Sequence, residues 1–174
     1  SMNNTLVLTG MMGSGKSSIG KELSNILSLK FYDTDLEIEK MLNMTIPDIF
    51  KNKGENYFRK IEEKICIELI NGDEKVIALG GGTFLNKKIR EIVLKKSISV
   101  WIDVDISTIV KRMKISKNIR PMLDYKDLKG SITSILAKRS PIYQLANIKI
   151  KATSISKKKI ASEIKKKYEL SKKN

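Results

Sequence analysis

The sequence predicts an α/β protein built on a parallel sheet. Two observations carry this. Short apolar, β-branched runs alternate with helical-period segments of roughly ten residues or more, the pattern of strand–helix–strand crossovers. The first such run, TLVLT, opens directly into GMMGSGKS at residues 10–17, with three glycines, a lysine and two serines in eight positions.

The elements follow in order. Residues 5–9 read as a buried strand. Residues 17–29 carry Ile19, Leu23, Ile26 and Leu27 at helical spacing. KFYDT (30–34) reads as a short strand ending in polar residues. Residues 35–42 and 46–53 read as short helices. Residues 56–70 place Phe58, Ile61, Ile65 and Leu69 on one helical face. Residues 76–79 form a strand stopped by Gly80, Gly81 and Gly82. A helix over 87–95, a strand over 98–104 and a helix over 106–115 come next. Residues 116–127 (SKNIRPMLDYKD) are polar and irregular around Pro121, as a surface loop is. A helix over 128–146, with a kink expected at Pro141, leads to a fifth strand at 148–151. In the tail Ile160, Ile164 and Tyr168 recur at i, i+4, i+8, which predicts an amphipathic helix with lysines on its wet face. Ligands of such sheets bind beyond the carboxyl ends of the strands. The informative residues are therefore expected just after Thr9, Phe31, Leu79 and Val104.

Composition narrows the chemistry. The 174 residues suit one domain with a substantial core. No stretch approaches the roughly 20 apolar residues that span a bilayer, and no basic-then-apolar signal peptide opens the chain. Cys66 is the only cysteine and there is no histidine, which excludes an intrachain disulfide and histidine general-base catalysis and argues against a zinc site. The net charge is +15, and residues 156–174 contribute eight lysines against two glutamates. A basic excess of this kind serves nucleic acid, an acidic surface or anionic small molecules. The lysine-rich tail reads most simply as a solvated helix face.

GMMGSGKS matches G-x-x-x-x-G-K-[ST], with Gly10, Gly15, Lys16 and Ser17 in the fixed places. Bare backbone lets successive N–H groups curl around phosphate oxygens, and the following helix offers its N-terminus to the anion. Lys16 would reach the β/γ-phosphates and Ser17 would offer its hydroxyl to Mg²⁺. The motif specifies a nucleotide phosphate and leaves the acceptor open.

Other clusters are weighed against plainer readings. In FYDTD, Asp33 and Asp35 follow a short strand expected beside the first one. The strand period of two turns both carboxylates the same way, toward Mg²⁺ through water and toward an acceptor hydroxyl. The plainer reading makes Asp35 the N-cap of a helix whose core face is Ile38 and Met41. In GENYFRKIEEK, Arg59 and Glu62 are i, i+3 neighbours, and the spacing alone favours a surface ion pair. LGGGT has more glycine than a turn needs, which suggests backbone close to a ligand. Arg120 in the polar loop could close over a γ-phosphate. Arg139 lies in KRSPIY on the next helix.

Together GMMGSGKS, FYDTD, the spacing of Gly54, Glu55, Phe58, Arg59 and Glu62, LGGG, RPML, and Arg139 with Pro141 and Tyr143 resemble the shikimate kinase family. The resemblance runs from Gly10 to about Ser156. It implies a P-loop NTPase three-layer α/β/α fold with a central five-stranded parallel sheet, as one domain. A substrate-binding segment at about 35–60 and a lid at about 116–127 complete it. The implied reaction is transfer of phosphate from MgATP to the 3-hydroxyl of shikimate, by a cytoplasmic monomer that uses neither nucleic acid nor membrane. The implied catalytic residues are Lys16, Asp35 and Arg120. The nucleotide falls to Gly13, Ser14, Gly15, Lys16, Ser17, Ser18, Arg112, Arg120 and Thr153. Mg²⁺ falls to Ser17 and Asp33. Shikimate falls to Asp35, Arg59, Gly81, Gly82 and Arg139, with Glu62 orienting Arg59. The rival readings are another small-molecule P-loop kinase, such as one for gluconate, and a nucleotide-dependent nucleic-acid-binding module. The second would want interleaved aromatics, and aromatics are only 6% of the chain.

Overall fold

A computed structural model describes residues 3–152 and 156–172. Five strands, β1 (Leu6–Thr9), β2 (Lys30–Asp33), β3 (Lys75–Ala78), β4 (Ile98–Asp103) and β5 (Ile148–Lys151), form one sheet in the order β2-β3-β1-β4-β5. Every pairing is parallel. β1 and β3 are buried along their whole length, whereas β5 alternates buried and exposed residues, as an edge strand should. The expectation of an α/β fold on a five-stranded parallel sheet is met.

The helices are α1 (Lys16–Leu27), α2 (Thr34–Leu42), α3 (Ile46–Lys53), α4 (Glu55–Asn71), α5 (Lys87–Lys96), α6 (Ile106–Ile115), α7 (Leu128–Tyr143) and α8 (Lys157–Ser171). A 3₁₀ turn at Thr83–Leu85, unforeseen from the sequence, follows the glycine triplet. α8 packs against α1 through Ile160, Ala161, Ile164 and Tyr168, and its lysines face water as expected. The Tyr168 hydroxyl donates to the Asn4 carbonyl at 2.6 Å, tying the tail to the start of β1. A second, smaller apolar cluster of Ile38, Ile49, Phe58 and Ile65 binds α2, α3 and α4 together.

Three expectations are corrected. β2 does not neighbour β1, because β3 lies between them. Met41 is half exposed and takes no part in the face that buries Ile38. α7 runs through Pro141 and ends at Tyr143, two residues later. Past Tyr143 the N–H groups of Leu145 and Ala146 turn to carbonyls three residues back, so the helix tightens and ends.

The register sets Asp33 level with Ala78 and Ala78 level with Leu8. The segments that leave the carboxyl ends of β1, β2 and β3 therefore emerge together, on one rim. The residues directly after Val104 do not line the cleft formed there, and Arg120, farther along the chain, does.

Candidate active site

The cleft at this rim holds about 170 Å³ and is lined by residues 12–18, Asp33, Asp35, Leu79, Gly80, Gly81 and Arg120. Its floor is the loop between β1 and α1. Gly10, Gly13 and Gly15 all take positive φ, at 145°, 73° and 90°, which other residues rarely tolerate. At Gly10 a side chain would also meet the Ile102 carbonyl, at 2.7 Å. The loop ends as the N-terminus of α1, where free N–H groups favour an anion. The buried Ser14 hydroxyl has no partner.

Lys16 folds over this loop and donates to the carbonyls of Gly10 at 2.7 Å and Met11 at 2.9 Å. Burial lowers its pKa to about 8. Arg120 and Arg139 push the same way, against the carboxylates of Asp35 and Asp33. Arg112, on α6, reaches back and donates to the Gly13 carbonyl at 2.7 Å, so it borders the same loop. Ser18 is half-buried in the first turn of α1. Thr153 lies outside the described residues.

Asp33 and Asp35 come together differently from the expectation. Asp33 ends β2 and is the N-cap of α2, with its Oδ1 accepting from the N–H groups of Asp35 and Leu36. Its Oδ2 accepts from the Ser17 hydroxyl at 2.5 Å. Asp35 sits in the first turn of the helix. Helix initiation, and not strand alternation, therefore aims the pair, and the N-cap is Asp33 where the plainer reading had Asp35. The pKa of Asp35 is raised to about 6, first by burial and then by Asp33 and Glu62, against the pull of Lys16 and Arg120.

Arg59 and Glu62 are no surface pair. Glu62 is 1% exposed, and its two oxygens accept from Arg59 Nη1 at 2.9 and 3.2 Å. The Thr83 hydroxyl adds a third bond at 2.8 Å. A carboxylate buried this deeply holds the guanidinium in one pose. Arg139 is 5% exposed and comes from α7. Both guanidinium groups converge on the glycine triplet: Arg139 lies 3.3 Å from where a Gly81 side chain would begin, and Arg59 lies 3.4 Å from the same point on Gly82. That point on Gly81 is also 3.5 Å from the Met12 amide nitrogen, so the two arginines stand beside the phosphate-type loop. The Arg139 Nη1 and Arg120 Nε atoms are buried without a partner. A site with surplus buried cationic donors is built to receive anions.

Sequence reasoning missed three contributors. Thr34 Oγ1 accepts from the Gly80 N–H at 3.0 Å, linking α2 to the triplet. Thr83 anchors Glu62, and the Tyr143 hydroxyl donates to the Gly81 carbonyl at 2.6 Å. Thr83 directly follows the triplet and Tyr143 shares a motif with Arg139. The positions were visible, but their partners were not.

The sequence pattern described as shikimate kinase matches residues 12–169. A shikimate kinase of Bartonella henselae is 39% identical over 162 residues, covering 93% of this chain and 77% of the relative. One of Rhodopseudomonas palustris is 40% identical over 158 residues, covering 91% and 77%. Among solved structures, shikimate kinase from Acinetobacter baumannii in complex with shikimate superposes with a TM-score of 0.91 at 30% identity, over 98% of this chain and 96% of that one.

Proposed function

The chain belongs to the shikimate kinase family, and from that premise we propose how its residues divide the work. Its activity is that of the family, an ATP-using kinase of the shikimate pathway. The acceptor we assign is the 3-hydroxyl of shikimate, giving shikimate 3-phosphate and ADP. The observation that carries the assignment is the convergence of Arg59 and Arg139 on Gly81 and Gly82, one residue's width from the loop that cradles phosphate.

Arg59 and Arg139 take the carboxylate of shikimate as a pair of cationic forks, with Glu62 setting the pose of the first. Gly81 and Gly82 let the ring approach the backbone. Asp35 accepts a hydrogen bond from the attacking hydroxyl and takes its proton as the oxygen closes on the γ-phosphorus. Its raised pKa keeps it basic enough for that role and still ionised near neutrality. Gly13, Ser14, Gly15 and Ser18 frame the phosphates. Lys16 and Arg120 hold the charge that spreads over the transferring phosphoryl group. Arg112, and Thr153 beyond the described residues, serve the adenine side.

Ser17 and Asp33 fit Mg²⁺, because they bring two oxygens together beside the phosphate loop. Among the described residues no group of three or more His, Cys, Asp or Glu side chains is placed to hold a metal ion. That suits an ion held by few protein oxygens together with phosphates. Bound there, the ion would neutralise charge on the β- and γ-phosphates.

We read the chain as one domain, with a substrate segment over about 35–60 and a lid over about 116–127, acting as a cytoplasmic monomer on MgATP. The test is ADP release from MgATP with shikimate, with gluconate or with AMP. Strong dependence on shikimate alone is expected, and turnover with a control instead would discard the arginine clamp. Arg139→Ala should raise the KM for shikimate about tenfold or more while leaving that for MgATP nearly unchanged.

A further inference from the structure

Exposure sorts the oxidisable side chains of this protein sharply. Its one cysteine, Cys66, is fully buried, and burial, with Glu62 and Asp35 nearby, holds the thiol well above its usual range. A thiol so placed is inert. Trp101 is buried. Among the described methionines Met11, Met12 and Met113 are buried and Met44 is half-buried, whereas Met41 and Met122 are 50% and 56% exposed.

These two exposed methionines differ in what they touch. Met41 lies on the open side of α2. Met122 lies between α6 and α7, and its sulfur accepts from Arg139 Nη2 at 3.5 Å. A thioether is a weak acceptor. On the same guanidinium Nη1 has no partner at all. Besides its hydrogen bond with the Tyr143 hydroxyl, this nearly buried cationic fork has a weak bond to sulfur and one orphan donor. The weak acceptor belongs to a side chain that a soluble oxidant can reach.

We propose that Met122 is a reversible oxidation site whose sulfoxide occupies Arg139 and shuts out the carboxylate of shikimate. This rests on Arg139 being a ligand of that carboxylate. The oxidant is a peroxide. A sulfur lone pair attacks one peroxide oxygen, and the O–O bond breaks as the S–O bond forms. The second oxygen leaves as water with the transferred proton. The sulfur is oxidised by two electrons and the peroxide is reduced by two. The new oxygen carries partial negative charge and stands one bond from an atom already touching Nη2, within reach of Nη1. It offers the guanidinium the acceptor that the thioether is not, at the place a substrate carboxylate would use. A dithiol reductase reverses the step, returning the thioether with water and a disulfide as products.

The test treats the full chain with hydrogen peroxide, maps each methionine by peptide mass spectrometry, and measures kcat and both KM values. Repair with the two methionine sulfoxide reductases follows. The KM for shikimate should rise about tenfold or more in step with Met122 sulfoxide, that for MgATP by under about twofold, and repair should reverse both. Met122→Leu, compared with its own untreated form, should lose the response. Met122→Gln, whose amide oxygen is a permanent acceptor, should show the raised KM without oxidant. The proposal is overturned if the shift follows Met41 or persists in treated Met122→Leu. It is equally overturned if Met122 oxidises without a change in KM, or stays reduced while Met41 is oxidised. Arg139→Ala in the untreated protein reports the clamp separately: a normal KM there removes the clamp itself, whereas a raised KM without an oxidation response removes the switch alone.

Discussion

Two side chains hold charges that burial in the cleft disfavours. Asp35, raised to about 6, is more readily protonated in the folded than in the unfolded chain, so its contribution to stability is full below about pH 4 and lost as pH rises through 6. Lys16, lowered to about 8, contributes above about pH 10.5 and loses that contribution as pH falls through 8. Between pH 6 and 8 both are charged and both cost stability. Asp35→Asn should therefore be more stable than the parent at pH 7, by about 3 kcal/mol, with the advantage vanishing below about pH 4 in a series of thermal melts. The same change should lower kcat by about 10²–10⁴-fold. The pH profile of kcat/KM for MgATP should fall below about 6 and above about 8, and the acid limb should be missing from the residual activity of Asp35→Asn. An acid limb that survives the substitution would show that another group accepts the proton. Glu62→Gln tests the neighbouring pair. It keeps the shape but turns one acceptor into a donor facing Arg59 or Thr83. We expect about 1–3 kcal/mol lost on denaturant unfolding, and a raised KM for shikimate with that for MgATP little changed. Spacing showed Arg59 and Glu62 to be neighbours. It could not show that Glu62 is buried against the 3₁₀ turn, whose Thr83 comes from 21 residues farther along the chain.

Where one element ends and the next begins decides what the cleft can do. β2 stops at Asp33 because that side chain caps α2, and this same junction swings Asp35 inward. The FYDTD cluster was legible as chemistry, but its geometry was misjudged: strand and helix start differ by one residue here, and one residue changes which carboxylate caps. The triplet after β3 is a tight junction. A side chain on Gly80 would begin 2.5 Å from Asp35 Oδ1 and 3.0 Å from Thr83 Oγ1. Gly80→Ala should therefore push Asp35 out of place and lower kcat about tenfold or more, with circular dichroism unchanged. Undiminished kcat would mean that Asp35 tolerates displacement. The close approach at these glycines is made by the protein's own atoms, from Asp35, Thr83, Arg59, Arg139 and Met12.

Over the whole molecule, the cationic groups of the cleft arrive from four separated stretches: Lys16, Arg59, Arg120 and Arg139. Arg120 and Arg139 disfavour the charge on Lys16, and each has one buried nitrogen without a partner. Ligands should relieve this. At about 100 times its Kd, one ligand adds about 2.7 kcal/mol, which for a chain of this length raises Tm by roughly 5–10 °C in a thermal shift assay. Proteolysis within residues 116–127 should slow when MgATP and shikimate are both bound, since Arg120 would then have phosphate to hold. An unchanged cleavage rate would leave that segment as ordinary surface. The sequence by itself determined the α/β class, the phosphate loop and the residue types that surround it, because periodicity and the glycine pattern are local properties. It also carried the family, through motifs whose order and spacing are written along the chain. Only the tertiary structure decided that β3 intervenes between β1 and β2, that Glu62 is buried beneath Arg59, and that Met122 rests on Arg139. Those facts depend on contacts between residues 17 to tens of positions apart, which chain spacing does not encode and packing of the folded chain does.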